Sequence, residues 1–504
     1  MTKNYKSLFK SSIVLMFVTV FVKLLGLIRE IVMASYLGTS STSDAYVLGT
    51  TISSIIIAGF ASYFLKAYIP VATEEKIKSE QKLNDYTGSI SALFTLFALL
   101  VSMIIFFTSS VTISLLGSGT SDDTKKMAII VSEITAFPTA LLITIYIFQG
   151  YLNIKGKFLP NMVYPFLMNI ILIVFIIIWK GNVYWLSIGY DVSIVLSLLI
   201  LFFLLKKNGY KKAKYSFKEK SISKTIFLTI PLIFGGLVSE INEIVDRGFA
   251  ANYETGVVSA LRYGKLLEIF IVSAIALSIG QVLFPKISEC VKTDNKNELD
   301  RIASKTVSIL FIVCLPITVF AILKSNSIVE FVFARGEFDA TSVENTGISF
   351  MMYCFSILPV SFSEILSRIY FAYNDGKRPV IFSMTAMGLN IVLNALVVFV
   401  FDLPFYWLAI TTSICETLLF LMFLIGLIVM KRVSFKLDMI NIAVSTMASA
   451  SLGVLIYYLD LGINNIYISL ITIFVIFLVL YISVFILCNY KKVMQLLRRR
   501  RKEE

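Results

Sequence analysis

The sequence predicts an all-α polytopic membrane protein with fourteen transmembrane helices, in two pseudo-symmetric six-helix lobes followed by two further helices. Three observations lead there. Hydrophobic residues make up 57% of the 504 and charged ones 15%, at a mean hydropathy of +0.85, which is more apolar surface than a soluble fold could bury. Fourteen segments are long and apolar enough to cross a bilayer core, a distance of about 20 helical residues. Stretches of the first half also recur in the second at a nearly constant offset.

The expected spans are 12–36, 46–69, 86–108, 127–150, 160–180, 183–205, 222–250, 257–284, 304–323, 346–373, 379–401, 404–430, 437–459 and 463–488. The N-terminus and the even-numbered connections, among them "EEKIKSEQK", "NIKGKF", "KKNGYKKAKYSFKEK", "NDGKRP" and "KRVSFK", are rich in lysine and arginine, as is the tail "RRRRK". The odd-numbered connections "LGTSSTSD", "GSGTSDD" and "NYETG" are poor in them, although the third and ninth include Lys125, Lys126, Lys324 and Arg335. By the positive-inside rule both termini are expected in the cytoplasm, and an even span count agrees. No small-residue cleavage site follows the first apolar run, so the first span is expected to be retained.

"ASYLGTSSTSDAYVLG" from Ala34 aligns with "ANYETGVVSALRYG" from Ala251, and "YIPVATEE" around Pro70 with "LFPKISEC" around Pro285. "GYLNIKGKFLP" around Gly156 answers "AYNDGKRPV" around Gly376. The offsets are 217, 215 and 220 residues. The expected organisation is a lobe over 1–205, a cytoplasmic linker over 206–221, a second lobe over 222–430, and residues 431–504 holding the last two spans and the basic tail. Six spans per half insert both halves the same way up, and duplicated bundles of this kind place a substrate site between the halves.

Charge inside the spans is concentrated in three places: Lys23, Arg29 and Glu30 in span one, "EINEIVDR" (240–247) in span seven, and "LRYGKLLE" (261–268) in span eight. Lys23, Gly26 and Glu30 share a helical stripe, and Arg262, Lys265 and Glu268 follow one another at three-residue spacing. Ten such charges facing lipid would cost on the order of 30 kcal/mol, so they must face a cavity or each other. Two readings fit. In one they are interhelical ion pairs, or charges that snorkel from helix ends, as Glu30, Arg29 and Arg262 are placed to do. In the other, Lys23 and Lys265, each deep in its span, line a cavity that selects an anion, and an anion at membrane depth is commonly a phosphate or pyrophosphate.

Much other chemistry is disfavoured. The chain has no histidine, and its five cysteines (Cys290, Cys314, Cys354, Cys415, Cys488) are scattered without a CxxC, as packing residues would be. There is no Walker motif, so transport energy would come from an ion gradient, the membrane potential or the substrate's own gradient; "ARGEFDA" (334–340) reads as an external helix–turn. Pro138, Pro165, Pro231, Pro316 and Pro359 offer kinks within spans. The net charge of +13 gathers in short loops between spans, a membrane pattern with no call for nucleic acid.

In "KLLGLIREIVMASYLGTSSTSDAY", "IVDRGFAANYETGVVSALRYGKLLE", "FVFARGEFDATSVENT" and "RIYFAYNDGKRPV" the sequence resembles the lipid II flippases of the MurJ (MviN) family, in the multidrug/oligosaccharidyl-lipid/polysaccharide exporter superfamily. The resemblance implies fourteen helices in two lobes around a central cationic cavity, the last two forming a groove for a lipid tail. The family's cavity arginines fall on Lys23, Arg29 and Lys265, and its acid before span two on Asp44; with Arg262, Glu30 and Glu268 these are the candidate substrate-binding residues. A family sodium site would fall on Asp246, Asn390, Asn394 and Thr411, sodium being the one cofactor implied. The sequence also departs from the family pattern. An arginine pair in span two is replaced by "SSIIIAG", the acid before the span-eight cation is Gly264, and two cavity arginines are lysines, which bind phosphate as point charges without a bidentate fork.

The implied function is a flippase, not an enzyme, that moves lipid II, the undecaprenyl-pyrophosphate-linked peptidoglycan precursor, from the inner to the outer leaflet of the bacterial cytoplasmic membrane by alternating access. The expected partners are that lipid-linked glycan and the membrane lipids, with the chain a monomer. The same fold could carry a capsule, O-antigen or teichuronic-type oligosaccharide. A cation-coupled drug exporter would want an acidic cavity, against Lys23 and Lys265. An intramembrane polymerase or ligase would need an acid–base pair, for which Glu240 and Glu243 are available without anything nearby to specify a reaction.

Overall fold

The computed structural model describes residues 2–211, 213–216, 220–458, 463 and 465–488. Every regular element among them is a helix. The chain divides into two compact units, 1–259 with 335–339, and 260–334 with 340–504.

The first unit is built from α1 (Thr2–Leu37), α2 (Ser41–Ile52), α3 (Ala58–Lys78), α4 (Glu80–Leu116), α5 (Asp122–Ile154), α6 (Val163–Ile178), α7 (Val183–Lys207) and α8 (Lys220–Ala250). Side chains start several of them. The Ser79 and Ser121 hydroxyls accept from the Lys82 and Thr124 amides, and the Asn182 carbonyl accepts from Tyr184 and Trp185. Each such cap contributes about 1 kcal/mol. Of the long apolar segments, α5 is the most enclosed, with 56% of its apolar window buried against 17% for the segment containing α6. Small residues let it approach its neighbours. A Cβ at Gly49 would stand 2.6 Å from the Ala128 carbonyl oxygen, and one at Gly150 2.7 Å from the Tyr68 ring. The stretch Arg335–Asp339 also belongs here: the Glu337 amide donates to the Ser35 carbonyl (2.9 Å), in a turn that Gly336 enters at φ +60°.

The second unit contains most of α9 (Val257–Val272), then α10 (Ser278–Lys292), α11 (Lys296–Leu323), α12 (Ser325–Phe333), α13 (Ala340–Cys354), α14 (Ile357–Ala372), α15 (Lys377–Ala395), α16 (Trp407–Val429), α17 (Met439–Tyr458) and α18 (Ile466–Cys488). Helices α13 and α14 form one apolar pair bent by 46°. Pro359, which has no amide hydrogen to give, sits in the first turn of α14, just past the bend. One core gathers Ile287, Leu366, Tyr370, Phe423 and Leu427; a second gathers Phe320, Leu452, Ile456, Leu470 and Phe477.

Ten of the described helical segments are long and apolar enough to cross a membrane, or eleven with the bent pair counted as one span. The other three expected spans coincide with α1, with α2 through α3, and with α8. The protein is therefore an all-helical, multi-pass membrane protein.

The backbone also carries the repeat. Residues with left-handed φ recur as Gly38 and Gly256, Gly156 and Asn374, Gly181 and Asp402, and Gly209 and Lys431, at offsets of 218 to 222 residues. Single π-helical turns at Ser53–Ile57 and Ser273–Leu277 stand 220 apart. Identity between the halves is low, yet helix ends and helix irregularities fall at matching places.

Candidate functional site

In the first unit, α1 carries Lys23 fourteen residues before its end at Leu37, about 21 Å along the helix axis. Its side chain is exposed and makes no hydrogen bond or ion pair among the described residues. Arg29 is engaged: it forms an ion pair with the adjacent, buried Glu30. Two carboxylates of α8 are engaged as well. Glu243 pairs with Arg247, which also donates to the Thr51 hydroxyl (2.8 Å), and Glu240 takes a hydrogen bond from Tyr63. An unneutralised ammonium this far along a membrane helix is affordable only beside water or an anion.

Asp44 does different work. It is 1% exposed and accepts from the Gly256 amide (2.6 Å), the Ser259 amide (2.9 Å) and the Ser259 hydroxyl (2.6 Å). It thus closes the N-terminal turn of α9 from 212 residues away. Gly256, at φ +94°, is held so close to the Thr39 carbonyl that no side chain fits there. Every hydrogen bond shown for this carboxylate goes to the fold.

In the second unit, Lys265 forms a 2.9 Å ion pair with Glu268 and lies 5.2 Å from the centre of the Tyr353 ring. Glu268, 1% exposed, also accepts from the Ser356 hydroxyl (3.0 Å), and Glu416 on α16 lies within electrostatic reach of both Lys265 and Glu268. Arg262 stacks its guanidinium over the Tyr263 ring at 5.5 Å. The departure at Gly264 has a steric reason: a Cβ there would come within 2.8 Å of the Phe350 amide nitrogen and 2.9 Å of the Ser349 side chain. An acid at 264 would overpack against these atoms, and Glu268 is the carboxylate that pairs with Lys265 instead.

Three of the four residues of the expected sodium site meet. The Asn394 amide donates to the Asn390 carbonyl oxygen (3.2 Å), and Thr411 donates to the Asn394 carbonyl oxygen. All three are at most 3% exposed, and the Asn390 amide nitrogen has no partner among the described residues. Each of the two amide oxygens already accepts one hydrogen bond, so what this buried group offers a hard cation is their remaining lone pairs and those of the Thr411 hydroxyl. Asp246 belongs to the first unit, where Asn242 donates to it (3.0 Å). Among the described residues no cluster of three cysteine, aspartate or glutamate side chains could hold a metal ion.

Three lone intramembrane carboxylates escaped the sequence reading, as did Glu364, which pairs with Arg368 on α14 (3.3 Å). Glu133 on α5 accepts from Ser109 (3.1 Å), Asp191 on α7 has a buried oxygen with no partner among the described residues, and Glu416 joins the Lys265 cluster. Each is a lone charge in an apolar run, so a search for charge clusters passes over it.

A search of known families matches residues 33–487 to the profile described as lipid II flippase MurJ. The chain belongs to the MurJ family. A relative from Vibrio cholerae named "Probable lipid II flippase MurJ" is 26% identical over 425 residues, covering 81% of this chain and 80% of that one. Among solved structures, a MurJ lipid II flippase in an inward closed conformation superposes with a TM-score of 0.81 at 24% identity, over 96% of this chain and all of that one. An inward-facing multidrug transporter of the MATE family in the MOP superfamily follows, with a TM-score of 0.69 at 15% identity over 81% of this chain and 94% of that one. These likenesses agree with the all-helical exporter fold, and the MurJ assignment extends it over nearly the whole chain.

Proposed function

We propose that this protein is a lipid II flippase of the bacterial cytoplasmic membrane, carrying the precursor from the inner to the outer leaflet without altering it chemically. Fourteen spans, both termini in the cytoplasm, and alternating access by the lobes 1–205 and 222–430 complete the proposal, with 431–504 serving the lipid tail. The observation that carries it is the free ammonium of Lys23, deep in α1 of a chain whose MurJ match spans 33–487. In this reading Lys23, Arg29, Arg262 and Lys265 are the cations offered to the pyrophosphate. Glu30 and Glu268 hold the cations beside them in place through the ion pairs described above. Sodium bound by Asn390, Asn394 and Thr411, with Asp246 as the charged ligand, would couple an ion gradient to the cycle.

A different polyprenyl-linked glycan is favoured by one observation, the lysines at 23 and 265 where the family has arginines. The same experiment separates the two cargoes. A cell's only lipid II flippase is replaced by this gene, and peptidoglycan synthesis is followed. Continued synthesis supports lipid II as cargo; arrest with lipid II accumulating inside, while the protein is present in the membrane, refutes it.

A further inference from the structure

A cavity of about 510 Å³ lies within the second unit, walled by α12 on one side and by the ends of α17 and α18 on the other. Its polar lining is unusual for its charge balance. Lys324 and Glu330 both face it, each half-buried, and neither forms an ion pair or side-chain hydrogen bond among the described residues. Among the described residues the two do not neutralise each other. The Ser327 hydroxyl lies on the same helix between them.

The rest of the cavity is amphipathic. Tyr457 and Tyr458, 63% and 78% exposed, stand at its edge, where tyrosine marks a membrane–water interface. Leu470 forms its floor and belongs to the buried core shared with Phe320, Ile456 and Phe477, so that wall is fixed. The Phe331 ring, 5.4 Å from Tyr467, ties α12 to α18 beside it.

We propose that this cavity seats the headgroup of an aminophospholipid, with the phosphate on Lys324 and Ser327, the primary ammonium on Glu330 and a tyrosine face, and the acyl chains along the apolar surface of α18. Charge complementarity selects this occupant. A separated cation and anion match a zwitterion whose phosphate and ammonium are a few ångströms apart, whereas an anionic phospholipid or a polyprenyl pyrophosphate meets repulsion at Glu330. The ammonium of phosphatidylethanolamine can donate hydrogen bonds to Glu330, and the quaternary ammonium of phosphatidylcholine cannot. The headgroup seat uses none of the residues proposed for the pyrophosphate, although α18 belongs to the stretch proposed above for the substrate's tail, and it does not depend on the substrate's identity.

The test is lipid retention by the full-length protein in detergent, read by native mass spectrometry on adding phosphatidylethanolamine, phosphatidylcholine or phosphatidylglycerol at equal concentration. Phosphatidylethanolamine should be held about tenfold more tightly than either of the others, one charge-assisted contact being worth that much. Lys324→Ala should weaken its retention about tenfold, and Glu330→Gln should abolish the preference over phosphatidylglycerol. Equal retention of phosphatidylethanolamine and phosphatidylglycerol by the unaltered protein overturns the proposal, a readout that needs no variant to fold. Equal retention of phosphatidylcholine, or an unchanged preference in Glu330→Gln, overturns the assigned contact. No transport enters the measurement, so its failure leaves the flippase reading standing, and the reverse holds too.

Discussion

Replacing Lys23 by methionine keeps the length of the side chain and removes its charge, which separates substrate binding from structural neutralisation. The surroundings set the expected magnitudes. Arg29 is paired with Glu30, Glu243 with Arg247, and Glu240 takes the Tyr63 hydroxyl, so removing the Lys23 ammonium strands none of these carboxylates. Stability should therefore change by less than about 0.5 kcal/mol, as for a surface substitution. Losing one charge-assisted contact to a pyrophosphate costs roughly 1.5–3 kcal/mol, or about ten- to a hundredfold in affinity. Lys23→Arg should retain transport, and Lys23→Met should lose most of it at an unchanged unfolding temperature. The assays are lipid II export in cells that depend on this gene and thermal unfolding of the purified variants. If Lys23→Met instead unfolds early, and a second change of Glu240 or Glu243 to glutamine restores both stability and transport, the lysine is a structural counter-ion, because a neutralised pair cannot hold a pyrophosphate.

The other lysine should behave differently. Lys265→Met leaves the buried Glu268 uncompensated and should destabilise the protein by about 3–5 kcal/mol, a loss that Glu268→Gln in the same chain recovers in large part when unfolding is measured. Restoring the family acid with Gly264→Asp should cost at least about 1–3 kcal/mol by overpacking against Phe350 and Ser349, and be seen as a lower unfolding temperature and reduced yield. At the turn before α15, burial alone would raise the Asp375 carboxyl, but hydrogen bonds from Arg378 and Arg432 hold it below the usual carboxylate range. Its stabilisation is therefore present above the unfolded value of about 4 and lost as pH falls through the folded one, so the stability gap between parent and Asp375→Asn at pH 7 should close on acidification. Sodium should raise the unfolding temperature more than potassium or choline, and Asp246→Asn should abolish the difference; equal effects of the three salts in the parent would remove the sodium proposal.

Ten of the expected spans, eleven with the bent pair, were legible because hydrocarbon thickness imposes a length and a composition that no other constraint mimics. The repeat was legible from three short similarities, and the backbone adds what side-chain identity had lost: Gly209 and Lys431 share no chemistry, yet both take left-handed φ at corresponding helix ends. The site was less legible, since a charge in a span announces itself while its partner does not. Lys265 was visible, but Glu416, a lone acid in the apolar run of α16, joins it only through packing. Asp44 reads in sequence as an acid before a helix, and only the fold shows it accepting hydrogen bonds from Gly256 and Ser259. The π-helical turn at Ser53–Ile57, where the family's arginine pair is missing, has no residue pattern that would have announced it.

The most direct test of the account is translocation itself. The purified protein is reconstituted into liposomes with fluorescent lipid II, and the label exposed on each leaflet is counted with a membrane-impermeant quencher, for the parent, Lys23→Arg and Lys23→Met. The account predicts rapid exchange between leaflets for the parent and Lys23→Arg, and exchange near that of protein-free liposomes for Lys23→Met. Exchange by Lys23→Met at the parent's rate, or a folded parent that moves no lipid II while moving another polyprenyl-linked glycan, would contradict it.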